Sequence, residues 1–537
     1  MQHDYDYIIV GAGSAGCVLA YRLIQTLDAS VLLVEAGGSD ASLLIRMPAA
    51  VGKVIPTRTW PYMTTPHAAT NNRAMTIAQG RLIGGSSSVN GMIYIRGHRT
   101  DYDAWANDYG CTGWDYESLL PYFVRSEGNE SLAGPLHGND GPLKVSENRY
   151  RHPLSQTFVR AGQELGLPYV NDFNDNACEG VGYYQTTTFE GERYSTSKAY
   201  LSQVRKHPRL TVLSDTDVER VIIEGGAATG IKARHAKKGE MTLHARREVI
   251  LSAGAIGSPR ILMQSGIGHR DHLAEHGIEC LSDLPVGDNL QDHLHLSINA
   301  SLKAPTSLYG QDTGIKALRH GGEWLMHRSG LMTSNVLEGG AFLDTNNEGR
   351  PDTQIHFMPV LDTWDDPNGI GKGRTHGITL KVGHLRPASR GTVRLTHSGS
   401  TAINANFLAA PEDVEHQVRA LRAGLALLDT PALSGVIDEV FSPPEARHLM
   451  TQDAAESQPA LEAFVRQYCK TTYHPVGTCR MGPDAETSVV DLELKVHGVN
   501  GLRVIDCSVF PTLPGGNTNA PTIAVAEKGA DHIIADV

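Results

Sequence analysis

The sequence predicts an α/β fold in two parts: a Rossmann-like domain on a mostly parallel sheet, and an inserted domain on an antiparallel sheet. Three observations predict it. The apolar run ending at Val10 enters Gly11-Ala-Gly-Ser-Ala-Gly16, and after a helical stretch a second apolar run, Val31-Leu-Leu-Val, ends on Glu35. Strand-then-glycine units return at Glu248-Val-Ile-Leu-Ser-Ala-Gly254 and around Gly501-Leu-Arg-Val-Ile-Asp506. Between about residues 294 and 465 the pattern changes to alternating strands, which suit an antiparallel sheet with helices on one face.

In the first unit each glycine has a physical task. Gly11 makes a tight turn, Gly13 lets backbone approach a pyrophosphate, and Gly16 lets the helix 17–27 pack close to the sheet. The helix N-terminus offers free N–H groups and a positive dipole end to phosphates. Glu35 lies 19 residues past Gly16, the reach of a ribose hydroxyl in a dinucleotide fold. Next comes Gly80-Arg-Leu-Ile-Gly-Gly-Ser-Ser-Ser-Val-Asn90. Its paired glycines and small hydroxyls allow close approach to a large ligand, and Met92-Ile-Tyr-Ile95 directly after it implies burial.

Leu210-Thr-Val-Leu213 and the run 218–223 read as strands, the second turning at Gly225-Gly226. Gly254 opens a short helix that closes on Gly266 and Gly268, with Pro259 suited to a first turn. The inserted part contributes strands at 353–358, 378–382 and 391–395 and a helix at 412–428. The polar stretch 362–375 reads as an exposed loop at a site entrance. A last helix starts near Pro521. The implied domains are 1–155, 190–293 and 466–537 for the Rossmann-like part, and 156–189 and 294–465 for the inserted part.

A chain of 537 residues exceeds a single core. A net charge of −12 disfavours nucleic acid as a partner, because phosphate backbones select basic surfaces. No apolar run reaches membrane-spanning length. The first strand starts by Tyr5, leaving no room for a signal peptide, and seven scattered cysteines without a C-x-x-C pair suit a reducing compartment. A cytoplasmic location is expected, compatible with peripheral contact to the inner membrane. Asn129-Glu-Ser131 is a glycosylation sequon, read here as a chance match.

Residues 80–103 and 254–268 resemble the two signature motifs of the glucose–methanol–choline oxidoreductase family. The N-terminal fingerprint, Asn289-Leu-Gln-Asp-His293, Tyr473-His-Pro-Val-Gly-Thr-Cys-Arg-Met-Gly482 and Gly516-Asn-Thr-Asn-Ala-Pro-Thr522 are similar too. Within the family the texture is closest to the choline dehydrogenase-like branch of bacterial alcohol and L-sorbose dehydrogenases. The resemblance implies FAD. Gly11, Gly13, Ser14, Ala15, Gly16, Glu35 and Ala36 would hold its ADP half, with Val218 at the adenine and Ala253 and Gly254 near the ribose. Arg81, Gly84, Gly85, Ser86, Asn90, Gly91 and Met92 would follow the pyrophosphate and flavin. Asp506, Asn519 and Thr522 would reach the ribityl chain and ring. The position at which some members attach FAD covalently through histidine is Val89 here, which implies non-covalent FAD.

The resemblance also implies that His474 is the base, paired with Asn517. Oxidising an alcohol requires loss of its hydroxyl proton as hydride leaves carbon, and imidazole suits that task near neutral pH. An amide can donate to the developing alkoxide. Among 24 histidines a structural role is the default, and only the flavin motifs raise His474 above it. Tyr473 and Glu338 are candidate substrate contacts, Glu338 with the equal alternative of a buried, partnered acid. Asp292-His293-Leu294-His295 lacks a complementary ligand set, so no metal is expected and the segment reads as structural. Cys479 reads as buried and inert.

The activity expected is oxidation of a primary alcohol (aliphatic, polyol or sugar-type such as sorbose) to the aldehyde, with hydride passing to flavin N5. The electrons would go on to a quinone or dye-like acceptor. Two alternatives stand beside it: an oxidase reducing O₂ to hydrogen peroxide, and a hydroxynitrile lyase in which FAD is structural.

Overall fold

The computed structural model describes residues 4–175, 177–362, 375–443, 448–449 and 454–537. Of the polar stretch 362–375, residues 363–374 lie outside the described residues.

The first strand, Asp4–Val10, lies between Val31–Val34 and the second half of Gly239–Leu251, parallel to both. Leu210–Leu213 and Leu502–Val504 extend the parallel array on either side. Segments from the start, middle and end of the chain thus build one sheet. Ile8, Ile9, Leu32, Leu33, Val249 and Ile250 are fully buried, which is why these runs are continuously apolar rather than alternating. One end of this sheet departs from the parallel expectation. Gly239–Leu251 pairs antiparallel with Ala227–His235, and that strand pairs antiparallel with Thr216–Glu224. Gly225 (φ +58°) and Gly226 (φ +81°) form the two-residue hairpin turn. The strand after it went unread because Ala-Ala-Thr-Gly-Ile-Lys-Ala-Arg carries no clean apolar period.

The first helix spans Ser14–Thr26, not 17–27. Gly13 is its extended N-cap, so Ser14, Ala15 and Gly16 form the first turn and their N–H groups lie at the mouth of the glycine loop. The last helix, Asn519–Ala535, packs along it. Arg22 Nε donates to Glu527 Oε2 at 2.7 Å, and the fully buried Glu527 also pairs with Arg125 and accepts from the Tyr200 hydroxyl at 2.9 Å. A buried acid is tolerated when its oxygens are saturated in this way. At the other end of the pair, Ser14 Oγ donates to Asn519 Oδ1 at 2.8 Å, joining two helix N-termini across 505 positions of sequence.

A second sheet runs in the order Ile437–Ser442, Leu294–Leu302, Gly377–His384, Thr353–Met358, Gly339–Leu343, Gly180–Tyr183, Tyr169–Val170, with Lys470–Thr471 beside the start of Leu294–Leu302. All neighbours are antiparallel except the final pair. Period two sorts its side chains. Leu296, Ile298, Ile355, Phe357, Leu380 and Val382 share one face, covered by the helices Pro411–Leu428 and Pro153–Glu164. Contact is close. A Cβ on Gly424 would sit 2.6 Å from Ile298 and Val382, and one on Gly162 would sit 2.7 Å from Val181. The opposite face carries His295, Ser297, Asn299, Gln354, His356, Thr379 and Lys381. One expected strand does not join this sheet: among the described residues Thr392–Leu395 pairs with Thr401–Asn404, in a hairpin packed on the helix Gly254–Gln264.

Asn129 of the sequon is buried, its amide donating to Glu127 and Gln185, so it offers no site for a glycan. All seven cysteines are free. Among the described residues no helix is long and apolar enough to cross a membrane.

Candidate active site

A cavity of about 990 Å³ lies between the two sheets. Its nucleotide-side wall is largely backbone. Gly11 has φ +102°, and a Cβ there would sit 2.4 Å from the Ser252 carbonyl. A Cβ on Gly16 would fall 1.9 Å from the Gly11 carbonyl, so the first helix turn sits directly on the loop. The double-glycine loop packs on the same turn: a Cβ on Gly85 (φ +52°) would lie 2.7 Å from Gly13 Cα. Larger residues cannot occupy these positions without separating the two loops.

Glu35 is buried at the strand end, where its carboxylate accepts from Ala12 N at 2.9 Å and Gly37 N at 2.8 Å. Burial nevertheless pushes it up to about 7. Asp506 accepts from Gly254 N at 2.8 Å, Ser258 Oγ at 2.6 Å and Ser508 N at 2.7 Å, tying the C-terminal strand to the Gly254–Gln264 helix. Burial raises its carboxyl above the ordinary range.

Most of the expected cofactor residues line this cavity: Gly11, Gly13, Ser14, Ala15, Glu35, Ala36, Gly85, Ser86, Asn90, Gly91, Met92, Val218, Ala253, Gly254, Asp506, Asn519 and Thr522. Val89 is there as well. Gly16 and Gly84 lie behind the wall, Gly84 pressed on Ser88. Arg81 also stays outside the lining, its guanidinium 4.4 Å from the ring centre of Trp60, which does line it. Glu338 is a correction among the substrate candidates. It does not line the cavity, and its carboxylate accepts from His152 N at 2.6 Å, Ser155 Oγ at 2.8 Å and Ser334 Oγ at 2.6 Å. Its role is the buried, saturated acid.

Tyr473, His474 and Asn517 all line the cavity. Tyr473 has φ +66°, a left-handed conformation that costs on the order of 1 kcal/mol and here turns His474 inward. The turn is pinned on both sides. Tyr473 N donates to Thr471 Oγ1 at 2.8 Å, and His474 N donates to Asp292 Oδ1 at 2.8 Å. Thr471 Oγ1 bonds the other oxygen of the same carboxylate.

The hydrogen bonds decide the His474 tautomer. His293 Nε2 lies 2.9 Å from the Leu385 carbonyl, which can only accept, so His293 carries its proton on Nε2. Its Nδ1 is therefore an acceptor. His474 Nδ1 lies 3.1 Å from that atom and must donate. This leaves the lone pair of His474 on Nε2, where the Asn517 amide donates at 3.3 Å. A second chain agrees: Gln354 Nε2 donates to Asn517 Oδ1 at 3.4 Å, which turns the amide nitrogen toward His474. Burial, and then His293, holds His474 well below the ordinary histidine range, and burial takes His293 down to about 3. Both rings are neutral at neutral pH.

Sequence reasoning missed His293, Asp292 and Gln354. The first two stood within the Asn289–His293 motif but were read as structural. Their partners lie about 180 positions away, a separation no local pattern records. Both His293 nitrogens are committed, so it has no capacity as a metal ligand. Cys479 is buried, with its thiol raised well above the ordinary range by burial.

Comparison with known proteins gives a consistent result. Two GMC oxidoreductase profiles match residues 5–295 and 387–526. The chain is 40% identical to oxygen-dependent choline dehydrogenase 1 of Chromohalobacter salexigens, covering 99% of this chain and 95% of that one. It is 38% identical to oxygen-dependent choline dehydrogenase of Rhizobium etli, covering 98% and 95%. Among solved structures, pyridoxine 4-oxidase from Mesorbium loti superposes with a TM-score of 0.85 at 31% identity, covering 98% of each chain. A variant of Aspergillus oryzae formate oxidase superposes with a TM-score of 0.90 at 26% identity, covering 99% and 98%. With matches running from the first strand to the last helix, the chain belongs to the GMC oxidoreductase family.

Proposed function

We propose that the protein oxidises a primary alcohol to the aldehyde with non-covalently held FAD, passing electrons to a quinone or dye-like acceptor. The observation that carries this is the Nε2 acceptor of cavity-lining His474, with the cavity-lining Asn517 amide 3.3 Å from it.

The residues present fit FAD. The paired loops at Gly13 and Gly85 leave a wall without side chains, and the helices starting at Ser14 and Asn519 direct free N–H groups to one place. Glu35 stands where the far ribose would lie, and Val89 offers no nucleophile for a covalent link. When bound, FAD supplies the hydride acceptor. The protein's own residues do the rest. His474 Nε2 takes the hydroxyl proton, and the Asn517 amide donates to the oxygen as negative charge builds there. His293 holds the ring in the tautomer that puts its lone pair on Nε2, and Asp292 anchors the backbone that carries it.

Anaerobic mixing with a panel of alcohols tests the reading through loss of the flavin band. Bleaching by an alcohol supports it, and an unchanged band with every alcohol would overturn it. Acid precipitation should release yellow supernatant; yellow in the pellet would refute non-covalent FAD. A second reading, O₂ as the acceptor, is favoured by the names of the relatives, an oxygen-dependent dehydrogenase and two oxidases. Admitting air to the reduced enzyme separates the two: instant re-oxidation favours oxygen, sluggish re-oxidation a quinone or dye.

A further inference from the structure

We infer that the cavity wall formed by the antiparallel sheet is a subsite for a polyhydroxylated alcohol, in which His295 and His356 bind hydroxyl groups other than the one being oxidised. The inference rests on the proposed role of His474 and names the substrate class that this site would take.

The sheet register sets the geometry. His295, Gly383 and Gln354 form one cross-strand row, and Ser297, Lys381 and His356 form the next row on the same face. Gln354 reaches Asn517 and so marks the reacting end. His356 stands two residues along the same strand, with about 7 Å between the two Cα atoms.

His295 and His356 are 5% and 8% exposed, and both line the cavity. Neither ring nitrogen of His295 has a hydrogen-bond partner among the described residues, nor has Nδ1 of His356. Buried polar atoms without partners are few in folded proteins, and those on residues lining a cavity are candidate contacts for a ligand group. Burial depresses both rings, His356 to about 3, so they are neutral. A neutral imidazole has one donor and one acceptor, the same pair that a hydroxyl offers.

The same wall disfavours a quaternary ammonium substrate. Lys381 lies in the row with His356, and Asp362 pairs with its ammonium at 3.0 Å and with that of Lys470 at 3.8 Å. An incoming cation therefore meets a lysine and a carboxylate already engaged with cations. An alkyl chain fares little better, since it offers no partner to the His295 nitrogens or to His356 Nδ1.

The test uses the flavin-loaded full chain under anaerobic conditions, with xylitol, sorbitol and L-sorbose set against 1-hexanol and choline. At least one polyhydroxylated substrate should exceed both 1-hexanol and choline in kcat/KM of flavin reduction by about tenfold or more, the equivalent of one net hydrogen bond. His295→Leu and His356→Leu should each lower the value for that substrate about tenfold, while 1-hexanol holds or rises. His295→Gln, which keeps a donor and an acceptor, should recover most of the loss. Flavin content reports folding of each variant. Choline or 1-hexanol outrunning every polyhydroxylated compound overturns the inference, as does an equal loss for sorbitol and 1-hexanol in both leucine variants. Those outcomes leave the His474 reading standing, because they still require an alcohol to bleach the flavin. A wild-type flavin that no alcohol reduces overturns both.

Discussion

The two walls of the cavity are built by opposite means. The nucleotide-side wall is backbone: Gly13 and Gly85 in contact, Gly11 against Ser252, and two helix starts joined through Ser14 and Asn519. The facing wall is side chain: a strand face whose alternate residues reach into the cavity while the others pack on helices. A backbone wall tolerates almost no substitution, because an added Cβ collides with main chain that cannot move alone. A side-chain wall can be rewritten one residue at a time, since the apolar residues between its positions hold the sheet. Binding of a shared cofactor and divergence of substrate therefore coexist in one cavity.

Several substitutions would break or sharpen this contrast. The largest effect is expected on the backbone wall. Gly85→Val places a Cβ where Gly13 Cα leaves 2.7 Å, at a φ that β-branched residues avoid, and should abolish flavin loading. The ratio of flavin to protein absorbance checks this, and near-normal loading would show that the loops can separate. Between the walls, His474→Ala should slow anaerobic flavin reduction by about 10²- to 10⁴-fold with flavin retained. An unchanged rate would remove His474 from the chemistry.

His293→Leu removes the acceptor of the His474 Nδ1 proton. It should cost about 10- to 100-fold in the same rate through loss of orientation, again without loss of flavin. An unaltered rate would mean that the tautomer is set elsewhere. The smallest effect concerns pH. Burial and then His293 depress His474, so its neutral, proton-accepting form is complete at and above the ordinary value of 6.5 and disappears only as pH falls well below it. A plot of kcat/KM should stay flat through neutral pH and fall only in acid. An acid limb at or above pH 6.5 would contradict the buried, neutral ring.

Much of the fold was legible. Strand 353–358 matches Thr353–Met358, and the helix at 412–428 differs from Pro411–Leu428 by one residue. The strand Ala227–His235 was not legible, because a half-exposed antiparallel ribbon needs no strong apolar period. The hairpin at Thr392–Leu395 has the pattern of a sheet strand, and only the folded chain shows that it packs on the Gly254–Gln264 helix and against Gly287.

What the sequence determined by itself is whatever depends on local backbone: the glycine turns, the acid at the end of the second strand, the helix starts and the alternation of the inserted sheet. These are short-range steric and periodic constraints, and each leaves its mark within a few tens of residues. Tertiary structure alone decided that His474 meets His293, that Gln354 turns the Asn517 amide, that Glu338 is spent within the fold, and that His295 and His356 come to line one cavity. Each depends on which side chains meet after distant strands pair. A hydrogen bond between residues 181 apart is fixed by register and burial, which only the folded chain specifies.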